Sequence, residues 1–218
     1  MLCDEAYCNL CKENILLLNN EAGLPTTNII VYENTDVYIT PDISPLCEGH
    51  FLIISNNHIP CFGNADNNVF SSLISAKDHM KRSIYKTDKI IVFEHGAVIE
   101  HAAGSCIDHA HMHTLPADRI PIQIEDIDTY IEKSGFVHSK KILGNTETLQ
   151  KLANSRQPYL FYEINGQAWV YPVKRLPSQF FRSLFAYYLK KEYNWKETFK
   201  KDSSKELYKK TLALSFAK

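Results

Sequence analysis

No apolar stretch in the 218 residues approaches the roughly 20 needed to cross a bilayer, and the first residues lack a basic end followed by an apolar core. The chain therefore reads as soluble and cytoplasmic, with no membrane partner. An excess of one charge is missing too. Twenty-four basic and 25 acidic side chains leave a net charge of −1, so no global field points to a nucleic acid polymer or an anionic surface. Internal repeats are absent. The 44% hydrophobic fraction is enough for a full core, in one domain or in one domain with a sizeable extension.

Nothing suggests export, so the six cysteines (Cys3, Cys8, Cys11, Cys47, Cys61, Cys106) do not read as a disulfide framework. The Cys8-x-x-Cys11 spacing is better explained as metal binding.

Along the chain, Lys12–Asn20 is compatible with a short helix. The β-branched run 28–33 and Val37–Thr40 form a hairpin, and Gly49–Ile54 is a third strand. From Asp66 to about Tyr85 the apolar residues follow helical spacing, with Asp66 or Asn67 as cap. Lys89–Phe93 is again a strand. The next strand carries His109-Ala-His111-Met-His113 and stops at Pro116. Alternation puts the three imidazoles on one face, roughly 6.5–7 Å apart along it, with Ala110 and Met112 toward the core. Three adjacent histidines fill a sheet face poorly. They suit either a row of metal ligands or a nucleophile with neighbouring proton and charge handlers.

Beyond Pro116, helices are expected over 124–134, 145–152 and 176–189, and a last one after the Ser203–Glu206 capping box. Tyr159–Ile164, Asn165-Gly166 and Gln167–Tyr171 form a β-hairpin, because Asn-Gly supplies both positive-φ residues of a type I′ turn. The expected class is α+β, an antiparallel sheet with a helix on one face and a C-terminal extension of helices and one hairpin. Gln179 and Arg182, one helical turn apart, suit either a polar patch turned toward the active-site mouth or, more often, a solvated helix face, and the second is expected.

Asp42-Ile-Ser-Pro45, Gly49-His-Phe-Leu-Ile-Ile54, His58-Ile59 and Gly104 followed by His109-x-His111-x-His113 together resemble the histidine triad (HIT) family of nucleotide hydrolases and transferases. The resemblance covers roughly residues 8–118 and implies a HIT-like catalytic domain at 1–120. Residues 121–218 are then an extension without an assigned role. It implies His111 as the nucleophile that attacks a nucleotide α-phosphorus, forming a nucleotidyl-histidine that water resolves. It also implies His113 as donor to phosphate oxygens, His109 as the third triad member, Asp42 on the ribose hydroxyls and Ile43 beside the base. Gly104, Ser105 and Cys106 stand at the phosphate loop.

Ser105 and Cys106 depart from the usual Gln and Ser or Thr of the family. The family's phosphate-facing Asn falls near Phe93 or Glu94, which makes His95 a possible replacement contact. The resemblance further implies structural zinc on Cys8, Cys11, His58 and His109, with His50 as a spare histidine, and a homodimer through the core sheet that the extension could cover or join. The implied function is a phosphohydrolase of dinucleoside polyphosphates or nucleoside phosphoramidates, since His113 stands where transferases tend to carry Gln. A nucleotidyltransferase or phosphorylase, a non-catalytic nucleotide-binding module and a catalytic metal on the histidine row are the rival readings.

Overall fold

The computed structural model describes residues 8–98, 107–137, 139–174, 177–191 and 194–216. The strands are β1 (Tyr32–Glu33), β2 (Val37–Pro41), β3 (Phe51–Ser55), β4 (Ile90–Gly96), β5 (His111–Pro116), β6 (Ile142–Leu143), β7 (Tyr159–Ile164) and β8 (Gln167–Pro172). The helices are α1 (Lys12–Glu21), α2 (Asn67–His79), α3 (Ile124–Lys133), α4 (Thr146–Asn154), α5 (Phe180–Tyr188), α6 (Trp195–Thr198) and α7 (Asp202–Leu214). None of the described helices is long and apolar enough to cross a membrane.

All eight strands form one sheet in the order β1-β2-β3-β5-β4-β7-β8-β6, antiparallel at every pairing. The α+β class is as expected. The segment beyond residue 120 joins the sheet directly: β7 pairs with β4 from Gly96↔Tyr159 to Ile91↔Ile164. It thus covers the edge of β4 that does not face β5.

The pleat divides the core into three clusters. Val37, Ile39, Phe51, Ile53, Val92 and Met112 face α2 and α4. On the other face, Tyr38, Leu52 and Ile54 lie under α1 and α7, and Ile91, Phe93, Leu115, Leu160 and Tyr162 lie under α3 and α5. On this face His50 and His113 are buried beside Phe93, and His111 is half-buried next to His113.

Local chemistry explains the element ends. Asp66 caps α2 by accepting from the Asn68 and Val69 N–H groups. Past His79 the helix widens into a π-helical turn, Met80–Tyr85, which ends at Lys86 with φ +55°. The hairpin turn has Asn165 at φ +49° and Gly166 at φ +82°, as a type I′ turn requires. Some boundaries differ from expectation. The run 28–33 yields only a two-residue strand, because Asn28 turns at φ +56° and Ile29 leaves the sheet for the core. β4 continues to Gly96, where the Tyr159 ring takes the space a side chain would need: an added Cβ would lie 2.2 Å from that ring. α7 begins at Asp202, with Lys201 at its N-cap and no side-chain cap, so Ser203 lies inside the first turn.

Candidate active site

β5 starts at His111, and His109 precedes it, so the three histidines do not form a regular row. Each ring has a different partner.

His109 turns toward the N-terminal segment. Its Nε2–H donates to the Ser55 carbonyl at 2.8 Å, which leaves the Nδ1 lone pair facing two thiols. Cys8 Sγ lies 3.3 Å from that nitrogen and Cys11 Sγ 3.8 Å. Cys11 Sγ is also 3.4 Å from His58 Nδ1. All four donor atoms fall within 4.8 Å of one another. For a tetrahedral ion with ordinary metal–sulfur and metal–nitrogen lengths, neighbouring S and N donors stand about 3.5 Å apart, so this grouping could hold a metal ion. The fixed His109 tautomer is the outer-shell arrangement such ligands need. Burial pushes the His109 ring down to about 4, which keeps a neutral imidazole, and the Cys8 thiol up to about 11, which favours the thiol over the thiolate a metal would bind.

His111 is half-buried. Its Nδ1–H donates to the His109 carbonyl at 2.6 Å. In the neutral ring the lone pair is therefore on Nε2, and burial holds the ring below its usual titration range.

His113 is buried beside Phe93, whose ring stacks on it at 4.4 Å and 8°. Its Nδ1 lies 2.9 Å from His50 Nε2. The Leu46 N–H donates to His50 Nδ1 at 3.0 Å. Burial lowers His50 to about 3 and places His113 well below the ordinary value.

Asp42, at the end of β2, is 1% exposed. Burial opposes its ionisation, but Arg182 above all, then His50 and the Ser44 N–H, hold its carboxyl below the usual range. Arg182 comes from α5, 140 positions away, and reaches both carboxylate oxygens at 3.0 Å. The solvated helix face expected for Arg182 is thus corrected: the residue is 7% exposed, and its Nη2 also donates to the Ser44 carbonyl at 2.6 Å. The helical spacing of Arg182 was visible, but its buried partner lies in another part of the chain and leaves no local signal. Ile43 packs at the edge of the cluster under α1 and α7.

Near the family's Asn position, the alternation of β4 separates Phe93 and His95 from Glu94. His95 shares the face with His113 and accepts from the Phe181 N–H at 3.2 Å; burial takes it to about 3. Glu94 points to the opposite face, where it accepts from the Phe62 N–H and the Tyr159 hydroxyl, each at 2.7 Å. Gly104, Ser105, Cys106 and Cys3 lie outside the described residues.

In the chemistry available here, one half-buried imidazole offers a lone pair. A second, with a fixed outer partner, lies 5.2 Å from it between ring centroids. A buried guanidinium–carboxylate pair stands beside them.

Residues 25–120 match the family model described as HIT domain. Solved structures similar to the chain include a Hit-like protein from Bartonella henselae, 24% identical over 69% of this chain and 96% of that one, with a TM-score of 0.38. A HIT family hydrolase from Clostridium thermocellum is 24% identical over 54% of this chain and 96% of that one, at 0.40. Yeast Ap4A phosphorylase in complex with AMP is 13% identical over 72% of this chain and 64% of that one, at 0.44. No curated protein sequence matches.

Proposed function

The chain carries a HIT domain across residues 25–120, and from that premise we propose that it is a nucleotide phosphohydrolase working through a covalent nucleotidyl-histidine on His111. Nucleotide processing is the common property of the family. The hydrolytic step and its residues are the finer reading.

One observation carries it: the 2.6 Å hydrogen bond from His111 Nδ1 to the His109 carbonyl, which directs the lone pair out through Nε2. In the first step Nε2 bonds to the α-phosphorus and the bond from phosphorus to the leaving group breaks; a polyphosphate departs as its anion, and an amine departs with a proton taken up from solvent. In the second, water attacks phosphorus, the P–N bond breaks, and nucleoside monophosphate leaves as a proton passes to solvent. Two displacements replace the direct attack of water on an anionic centre. His113 donates to the phosphate oxygens, stabilising charge that grows as the bonds exchange. The leaving group is a nucleoside polyphosphate or an amine. Ile43 and, beyond the described residues, Gly104, Ser105 and Cys106 are the positions that the resemblance gives to nucleotide contact.

Cys8, Cys11, His58 and His109 hold zinc in this reading. Two thiolates and two imidazoles close a tetrahedral site with no open position, so the metal ties the N-terminal segment to the start of β5, next to the carbonyl that orients His111.

The test is mass spectrometry of a reaction quenched in its first turnover. A nucleoside monophosphate adduct on His111 is expected. Full turnover in His111→Ala, or an adduct on another residue, refutes the assignment. Inorganic phosphate in the assay separates the phosphorylase reading, in which nucleoside diphosphate becomes the product.

A further inference from the structure

Asp42 is committed on every side. Its Oδ1 accepts from Arg182 Nη2 at 3.0 Å and from the Ser44 N–H at 2.7 Å, and its Oδ2 accepts from Arg182 Nη1 at 3.0 Å. Oδ2 also stands 3.7 Å from His50 Nε2 and 3.6 Å from His113 Nδ1. A carboxylate so occupied has little capacity left for two ribose hydroxyls.

The proton positions beside it follow from the hydrogen bonds. Because the Leu46 N–H takes the lone pair of His50 Nδ1, a neutral His50 carries its proton on Nε2 and donates it to His113 Nδ1 across 2.9 Å. A neutral His113 then carries its own proton on Nε2, the nitrogen turned away from His50. The same argument excludes a metal ion on Asp42, His50 and His113, although these three could group around one, since His50 Nε2 has no lone pair to give.

α5 touches this chain of groups twice. Arg182 grips Asp42, while Phe181 and Phe185 pack on Phe93 at 5.3 and 4.9 Å between centroids, and Phe93 is the ring stacked on His113.

We propose that Arg182 is a positioning residue for the triad. Its guanidinium holds the Asp42 carboxylate beside the Nε2–H that His50 donates to His113, so that His113 presents Nε2–H to the phosphate, and Asp42 serves this alignment instead of reading ribose. This rests on the nucleotidyl-histidine reading of His111. It gives the C-terminal segment a part in the reaction and takes Asp42 away from the sugar hydroxyls.

The experiment compares a nucleoside 5′-phosphoramidate with its 2′,3′-dideoxy counterpart. The wild type is expected to show kcat/KM values within about threefold of each other. Asp42→Asn and Arg182→Gln should each lower kcat on both substrates by the same factor, about 10- to 100-fold, with KM little changed; the double variant should be no worse than the poorer single. A larger wild-type preference for the ribonucleotide, lost in Asp42→Asn, overturns the proposal.

Breaking a buried pair can unfold the chain, so long-range ¹⁵N–¹H NMR of the wild-type imidazoles supplies an independent readout. Neutral Nε2–H tautomers at both His50 and His113 are expected. A proton on His113 Nδ1, or a doubly protonated ring, overturns the proposal. If the wild type turns over neither substrate, the hydrolase reading fails, and the same spectra of Arg182→Gln still decide the proposal: a His113 tautomer or hydrogen bond changed from the wild type supports it, and one left unchanged overturns it.

Discussion

Replacing Glu94 by Gln should make the protein more stable at pH 8 relative to the wild type than at pH 5, by about 2–3 kcal/mol. Glu94 is 1% exposed. Burial pushes its carboxyl from an ordinary 4.5 up to about 7, against the opposing pull of the Phe62 N–H and the Tyr159 hydroxyl. Below pH 4.5 the acid is protonated in both folded and unfolded chains and contributes nothing. Between 4.5 and 7 the unfolded chain releases its proton while the folded one keeps it, so the unfolded state binds fewer protons and stability falls as pH rises. Above 7 both are ionised and the full penalty stands. Those two and a half decades, at roughly 1.36 kcal/mol each, amount to about 3 kcal/mol.

Glutamine has no such term, and its carbonyl can still accept from the Phe62 N–H. Any fixed cost of rearranging around the Tyr159 hydroxyl cancels between the two pH values. The histidines have the opposite slope: His50 and His95 lie near 3 and His109 near 4 in the fold, so protonation of the unfolded chain below about 6.5 costs stability on the acid side. For that reason the difference between variant and wild type, from urea titrations at both pH values, is the informative quantity. A variant destabilised equally at pH 5 and pH 8 would refute a carboxyl held protonated by burial.

His111→Ala should reduce release of nucleoside monophosphate by at least ~10³-fold in a steady-state assay while leaving the melting temperature close to that of the wild type. Metal analysis should find about one zinc per chain; Cys11→Ser should lose it, with a lower Tm by calorimetry, and a full complement in that variant would remove Cys11 from the ligand set. Gly96→Ala forces a methyl to within 2.2 Å of the Tyr159 ring and should cost about 3 kcal/mol by denaturant titration. An unchanged midpoint would mean that the ring moves freely aside.

Features written in adjacent residues were legible in the sequence. Asn165-Gly166 specifies its turn through two positive φ angles, and Asp66 caps α2 through the two N–H groups just ahead of it. The Cys8, Cys11, His58 and His109 grouping was legible only through the family resemblance, since nothing local ties positions 101 residues apart.

Other features depend on partners that spacing does not encode. Arg182 has helical neighbours that say nothing of Asp42. β6 is two exposed residues, Ile142 and Leu143, that become a strand only because Val170 and Trp169 lie alongside. The reciprocal cap of α3, Gln123 with Asp126, is not legible locally because Gln is not an expected N-cap residue. His109 fits the alternation of a strand, yet its bond to Ser55 and its place beside the thiols draw it out of β5.

The pairing of β7 along β4 bears on how the protein can be made. A chain ending after Pro116 would leave the backbone groups of β4 bare on one side, in a straight run of Ile, Val and Phe without lysine or proline to deter a neighbour. Such a fragment would zip to its own copies and come out of the cell as multimers or precipitate. In the full chain the β7–β8 hairpin satisfies that margin, so those backbone groups are spent within one molecule.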